Sequence, residues 1–229
     1  IKGVSSLTPS ILACEVGGCE QVNADYADHW AVQGGHFYVV CDGIGHNENT
    51  ATAVSEFCER LKGELSGGII SDETALGDAI INAVRSLEQR RGSFAFCMTA
   101  ALKLNDSLVV AHCGDCRLGF LTPKGVDWKT VDDVPHYKLH RDGVLDRDSY
   151  LKARHLVSCK IKPGVIRESL KVYSLDNPEP QCMLLCSDGF WSYVEVDLEG
   201  TPVLSMEVID RMLPELASSA SDNFSVILV

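Results

Sequence analysis

The sequence has no run approaching the roughly 18 consecutive apolar residues that cross a membrane, and its opening Ile1-Lys2-Gly3-Val4 has no basic segment leading into an apolar secretory core. No membrane partner is expected, and the cytoplasm is the expected location. Ile1 is not an initiator methionine, which leaves a segment upstream open. Low-complexity tracts, Pro-rich linkers and repeats at periods of roughly 20 to 50 residues are missing too, which favours one folded unit over residues 1–229. Basic residues are scarce: 20 Lys and Arg against 32 Asp and Glu leave a net charge of -12. That disfavours nucleic acid as a partner and suits basic substrates or metal cations. Most of these acids serve solubility, so only carboxylates at special positions inform function.

A second Cys pair is also missing. Cys113-Gly-Asp-Cys116 has the spacing of half a zinc site or of a redox couple, but no other pair matches it, and the plain reading is two buried strand-end thiols. Most of the ten cysteines, Cys41, Cys97, Cys182 and Cys186 among them, lie in apolar strand-like runs, where reduced thiols act as small hydrophobes. His136 and His140 are spaced like two ligands on a helix face, yet Tyr137 stands where a metal-protease motif needs Glu, so a surface loop is expected there.

What is present is a mixed pattern with 45% hydrophobic residues, ample for a core. Strand-length apolar runs fall at about 10–16, 36–41, 94–104, 107–113, 116–121, 181–186 and 224–229, with a turn at Asn105-Asp106. Val54, Phe57, Cys58, Leu61 and Leu65 have helical spacing and stop at Gly67-Gly68. A second helix, capped at Ser71-Asp72, carries Leu76, Ile80, Val84 and Leu87 and ends at Gln89-Arg90-Arg91. A third, over 205–218, is expected to kink or shorten at Pro214. Strands in runs rather than in strict alternation with helices favour antiparallel sheets flanked by helices. Residues 122–172 are polar and poorly periodic and read as a lid or flap, with a short helix near 146–153.

Four apolar runs abut a carboxylate. They are Phe37-Tyr-Val-Val-Cys-Asp42-Gly43-Ile-Gly45, Ala111-His-Cys-Gly-Asp115-Cys-Arg117, Leu184-Leu-Cys-Ser-Asp188-Gly-Phe-Trp191 and Ser221-Asp222-Asn223-Phe-Ser-Val-Ile-Leu-Val229. One Asp-Gly is usually a turn, but four strand-end carboxylates in a chain read as a set.

In this order the motifs resemble those of the type 2C, metal-dependent protein serine/threonine phosphatase family, in its bacterial form. The resemblance covers nearly the whole chain, from Gly17-Gly-Cys-Glu20-Gln-Val-Asn23-Ala-Asp25 through Gly92-Ser-Phe-Ala95 to the closing Asp222-Asn-Phe-Ser-Val. It implies an α+β fold, a sandwich of two antiparallel β-sheets with α-helices on both outer faces. It also implies two Mn²⁺ or Mg²⁺ ions, with a third in some members. Asp42 would bridge the ions, Gly43 would offer its carbonyl, Asp188 and Asp222 would complete the core ligands, and Asp115 would hold the third ion. Asp25 would orient water, and hydrolysis of phosphoserine or phosphothreonine in proteins would proceed through water activated by the metal pair. All-oxygen ligands suit these ions, and paired cations acidify water and neutralise phosphoryl charge. The implied partners are phosphoprotein substrates, associated with a protein kinase or its targets, and a monomer is expected.

Three positions depart from the family pattern. Glu20 stands where an Arg usually holds the phosphate, which assigns that role to Arg117, Lys160 or Arg167, or to the metals alone; Arg117 also reads as a structural partner of Asp115. Ile44 replaces a His common in eukaryotic members, leaving His46 as a candidate proton donor. Ala24 replaces a side chain that supports the second ion in some members. Two other readings stay open: an inactive or regulatory phosphatase-like module that binds a phosphoprotein, and a hydrolase of small phosphate esters whose pocket residues 122–172 would shape.

Overall fold

The computed structural model describes residues 7–18, 20–45, 47–88, 93–105, 107–164, 166–176, 182–197 and 203–229. In chain order its elements are β1 (Ile11–Glu15), β2 (Tyr26–Val32), β3 (Gly35–Gly43), α1 (Glu48–Ser66), α2 (Glu73–Glu88), β4 (Phe96–Leu104), β5 (Ser107–Cys113), β6 (Arg117–Thr122) and β7 (Gly125–Trp128). There follow α3 (Pro135–Arg141), α4 (Arg147–Ala153), α5 (Ile166–Ser169), β8 (Lys171–Asp176), β9 (Met183–Cys186), α6 (Asp188–Ser192), a π-helical turn (Tyr193–Asp197), α7 (Met206–Ser219) and β10 (Phe224–Leu228).

Ten strands form two antiparallel five-stranded sheets, in the orders β1-β10-β9-β6-β7 and β2-β3-β4-β5-β8. Period two decides which side chain goes where. In β3, Phe37, Val39 and Cys41 pack beneath α1 and α2, while Tyr38 and Val40 point between the sheets. Leu118, Phe120, Met183, Leu185 and Ile227 meet them from the other sheet. On that sheet's outer face, Leu184, Cys186, Phe224 and Val226 pack with Ile209 and Leu216 of α7. The α+β sandwich with helices on both outer faces is the observed architecture.

Seven of the strands lie where the sequence pattern puts them. β2 and β8 carry too few apolar residues to stand out, and β7 is only four residues long. Helix α7 runs unbroken through Pro214, because its apolar stripe is held on the sheet and Ser205 caps its start. Asp72 caps α2, accepting from the Ala75 N–H at 2.9 Å. That helix's proposed basic end at residues 89–91, and Asp106 of the Asn105-Asp106 turn, lie outside the described residues.

The 122–172 segment is more ordered than its polarity suggests. β7 pairs with β6 and extends a sheet, and three short helices follow, with α4 at the expected place. His136 and His140 lie on helix α3 rather than in a loop. No helix among the described residues is long and apolar enough to cross a membrane.

Candidate metal centre

Each strand end delivers one acid. Asp42 continues the inward phase of Tyr38 and Val40, so the alternation that packs the core also turns this carboxylate inward at the mouth of the sandwich. Its cross-strand neighbour is Cys97. The turn from β5 to β6 brings Asp115 against the same place. Gly114 has φ +101°, and a Cβ there would lie 2.3 Å from the Cys97 sulfur, so only glycine lets the turn sit so close. Asp188 opens α6 directly after β9, and Asp222 precedes β10. A Cβ on Gly189 would lie 2.0 Å from the Asn223 carbonyl oxygen, and that close approach sets Asp188 and Asp222 side by side.

Asp42, Gly43, Asp115, Asp188 and Asp222 all line one cavity of about 280 Å³, and His155, Leu156, Val157 and Lys160 line it too. Among the described residues, Lys160 and His155 are the basic side chains of this lining. Asp25 lies deeper, outside the lining. Its Oδ2 accepts from Ser187 Oγ at 2.7 Å and Ser225 Oγ at 3.0 Å, and Ser225 N–H donates to Ser187 Oγ at 2.9 Å. Asn23 accepts from the Asp25 N–H at 3.0 Å. These bonds tie the start of β2 to both β9 and β10.

The acids strain one another electrostatically. Burial, followed by the charges of Asp188, Asp25, Asp115 and Asp222, pushes the Asp42 carboxyl well above its ordinary range. Burial and then Asp188 do the same at Asp115. At Asp25 burial dominates and raises the value to about 7 against the opposing serine hydrogen bonds. Asp115 Oδ1 is buried and has no hydrogen-bond partner among the described residues.

Among the described residues no three His, Cys, Asp or Glu side chains close tightly on one point; the acids share the lining of the cavity instead. Like charges repel at this range, and drawing them together takes a cation. A hard divalent ion fits what is here: carboxylates, a backbone carbonyl at Gly43, one orphaned carboxylate oxygen and room for water. Ala24 is fully buried against Gly43, where a Cβ on the glycine would meet it at 2.8 Å, so position 24 offers no ligand.

Several sequence candidates separate from this centre. Arg117 is consumed elsewhere: its Nε and Nη2 hold Asp132 at 2.9 and 2.8 Å, Nη1 holds Glu195 at 2.9 Å, and its guanidinium stacks on Trp191 at 3.7 Å. Its partner is therefore Asp132, not Asp115. Arg167 lies on α5, 3.8 Å from exposed Asp78, away from the cavity lining. His46 lies outside the described residues. Cys113 faces the core under the helices and Cys116 the core between the sheets, so the pair points to opposite sides and makes neither half a zinc site nor a redox couple. The nine described cysteines are free thiols. His155 was missed; nothing in a polar, aperiodic segment signals that the residues after α4 will line the same cavity as the acids.

No protein-family model matches the sequence. Probable protein phosphatase 2C 2 of Arabidopsis thaliana is 24% identical over 174 residues, which cover 68% of this chain but 45% of that protein, so the chain spans about half the length of this curated relative. Among solved structures, the chain is similar to the serine/threonine phosphatase of S. agalactiae, with 15% identity, 95% and 96% of the two chains covered and a TM-score of 0.76. It is also similar to the Mycobacterium tuberculosis serine/threonine phosphatase PstP/Ppp, with 20% identity, 95% and 96% coverage and a TM-score of 0.75. The catalytic domain of PstP in complex with 2 manganese ions aligns with 19% identity, 95% coverage of each chain and a TM-score of 0.73. The sandwich is thus the fold of the bacterial metal-dependent serine/threonine phosphatases.

Proposed function

We propose that this chain is a bacterial-type, metal-dependent phosphatase of the type 2C family, hydrolysing phosphoserine or phosphothreonine in proteins. The observation that carries it is one cavity lined by Asp42, Asp115, Asp188 and Asp222 together with Lys160 and His155. Acids in such a lining bind cations, and bases beside them meet phosphate oxygens. A purely structural cavity has no use for four clustered carboxylates, which repel one another.

Asp42, Gly43, Asp188 and Asp222 would hold two Mn²⁺ or Mg²⁺ ions, and Asp115 a third. Bound there, the ions supply an acidified water and neutralise phosphoryl charge. The chain's own residues do the rest. Lys160 and His155 bind phosphate in place of the arginine whose position Glu20 occupies. Asp25 sits behind the ligands and, held by Ser187 and Ser225, orients water and neighbouring ligands rather than touching substrate. Thr50 Oγ1 donates to the Ile44 carbonyl at 3.3 Å and Trp191 Nε1 donates to that of Asp115 at 2.9 Å, which fixes the segments carrying Asp42 and Asp115. The whole protein's targets are phosphoproteins in this reading.

The test is hydrolysis of a small aryl phosphate and of a phosphothreonine peptide with Mn²⁺, Mg²⁺ or EDTA, beside Asp42→Ala and Asp188→Ala. Turnover that needs metal and disappears in both variants is expected. Folded protein that binds Mn²⁺ yet turns over neither substrate would instead support a regulatory module, as Glu20 suggests.

A further inference from the structure

A second cavity, about 340 Å³, lies beside the metal pocket and is not used by the chemistry above. Its walls include the indoles of Trp128 and Trp191 and the ring of Tyr150, and its rim carries Arg141 and Arg147. The aromatic wall is stiff. His140 stacks on Tyr150 with ring centroids 4.7 Å apart and planes 3° from parallel, and Trp128 Nε1 donates to Glu195 Oε1 at 3.2 Å.

The local charge opposes the global one. On a chain of net charge -12, three arginines converge here, and the carboxylates nearest them are already engaged. Buried Arg117 takes up Asp132 and Glu195. Arg141 and Arg147 are exposed; the first meets Asp142 only at 3.3 Å and the second only the Glu195 carbonyl, also at 3.3 Å. Flat, stiff aromatic walls select a planar group, and rim guanidiniums with spare donors select an anionic substituent on it.

We propose that this cavity is a binding site for a small planar aromatic anion, such as an aryl carboxylate or aryl phosphate. It adjoins the metal pocket through two short covalent links. Trp191 lies three residues after Asp188 on α6, and Arg117 two after Asp115. The Trp191 side chain lines the cavity, carries the Arg117 guanidinium at 3.7 Å and donates through Nε1 to the Asp115 carbonyl, so it connects the cavity to the turn that bears Asp115. A ligand stacked there would bear on the peptide that positions Asp115.

The chain has three tryptophans, and the third, Trp30, packs in the core under α1, away from this cavity, which supplies an internal control. The experiment titrates the protein with 1-naphthoate, neutral 1-naphthalenemethanol and cationic 1-naphthalenemethylamine, following the indole N–H signals by NMR. Saturable shifts of Trp128 and Trp191 but not Trp30 are expected with naphthoate, at least tenfold tighter than with the alcohol or amine. The Arg141→Ala/Arg147→Ala variant should weaken naphthoate at least tenfold while Trp30 stays in place and reports an intact fold. No saturable shift at millimolar naphthoate, equal affinity for all three compounds, or equal affinity in the variant overturns the proposal. The readout is binding and is independent of turnover.

Discussion

Ser187 Oγ donates to Asp25 Oδ2 at 2.7 Å although the two residues stand 162 positions apart. The bond joins the end of β9 in one sheet to the start of β2 in the other, directly behind the acids of the cavity. A carboxylate buried to 9% exposure needs its donors, and Ser225 supplies the second. Ser187→Ala and Ser225→Ala are each expected to cost about 1–3 kcal/mol, since a buried carboxyl oxygen loses one of its donors. Urea denaturation measures this; losses near zero in both would mean Asp25 is held by something else.

Cation binding should reverse the mutual repulsion of the acids. Excess Mn²⁺ at about 100 times its dissociation constant adds about 2.7 kcal/mol, which in a chain of this size raises the midpoint of thermal unfolding by about 5–10 °C. EDTA should abolish the rise. Asp42→Asn removes a proposed metal ligand and a repelling charge together, so it should raise metal-free stability while suppressing both the metal effect and turnover. An unfolding midpoint indifferent to Mn²⁺ in the unsubstituted protein would sink the metal assignment.

Arg117 and Lys160 should separate cleanly in kinetics and stability. Arg117→Ala leaves Asp132 buried and unpaired, at a cost of about 3–5 kcal/mol. Lys160→Ala should change stability little but raise KM for a phosphopeptide about 10-fold, the loss of one charge-assisted contact. Steady-state kinetics on both variants decides it. An unchanged KM in Lys160→Ala combined with His155→Ala would leave phosphate binding to the metals alone.

His112 sets a stability slope in mild acid. It is 1% exposed on the face between the sheets, and neither ring nitrogen has a partner among the described residues. Burial pushes its pKa from 6.5 down to about 4, with Lys171 adding to the fall and Asp133 opposing it. Between those values the unfolded chain takes up a proton that the folded chain refuses. Stability from this group is therefore full above pH 6.5, declines as the pH falls toward 4 and levels below. At about 1.4 kcal/mol per pH unit the window spans about 3 kcal/mol. Urea denaturation between pH 4.5 and 7 should show a shallower slope in His112→Leu than in the unsubstituted chain; parallel slopes would exclude the assignment.

Much of the fold was legible because burial leaves a period. Continuous apolar runs mark β3, β4, β5 and β10, which are buried on both faces, and helical spacing marks α1 and α2, where one face must be apolar. β2 was invisible because it is an edge strand, and Asp28 and His29 are tolerated there at only partial burial. β8 is the other sheet edge and is similarly polar. The four cavity acids were legible for a related reason. Asp42, Asp115 and Asp188 stand at or just after the end of an apolar run and Asp222 just before one, and a strand's ends are where the pleat meets solvent.

Other relationships had no local signal. The sequence by itself determined which residues could be buried and hence where Asp42, Asp115, Asp188 and Asp222 would stand at element ends. Only the tertiary structure decided that Arg117 turns to Asp132 and Glu195, that Lys160 and His155 line the same cavity as the acids, and that Cys113 and Cys116 point into different cores. Side-chain partners far apart in the chain depend on how two sheets are stacked and how the segment after β7 folds over their end. Periodicity within one element records which face is buried, but not what that face will meet.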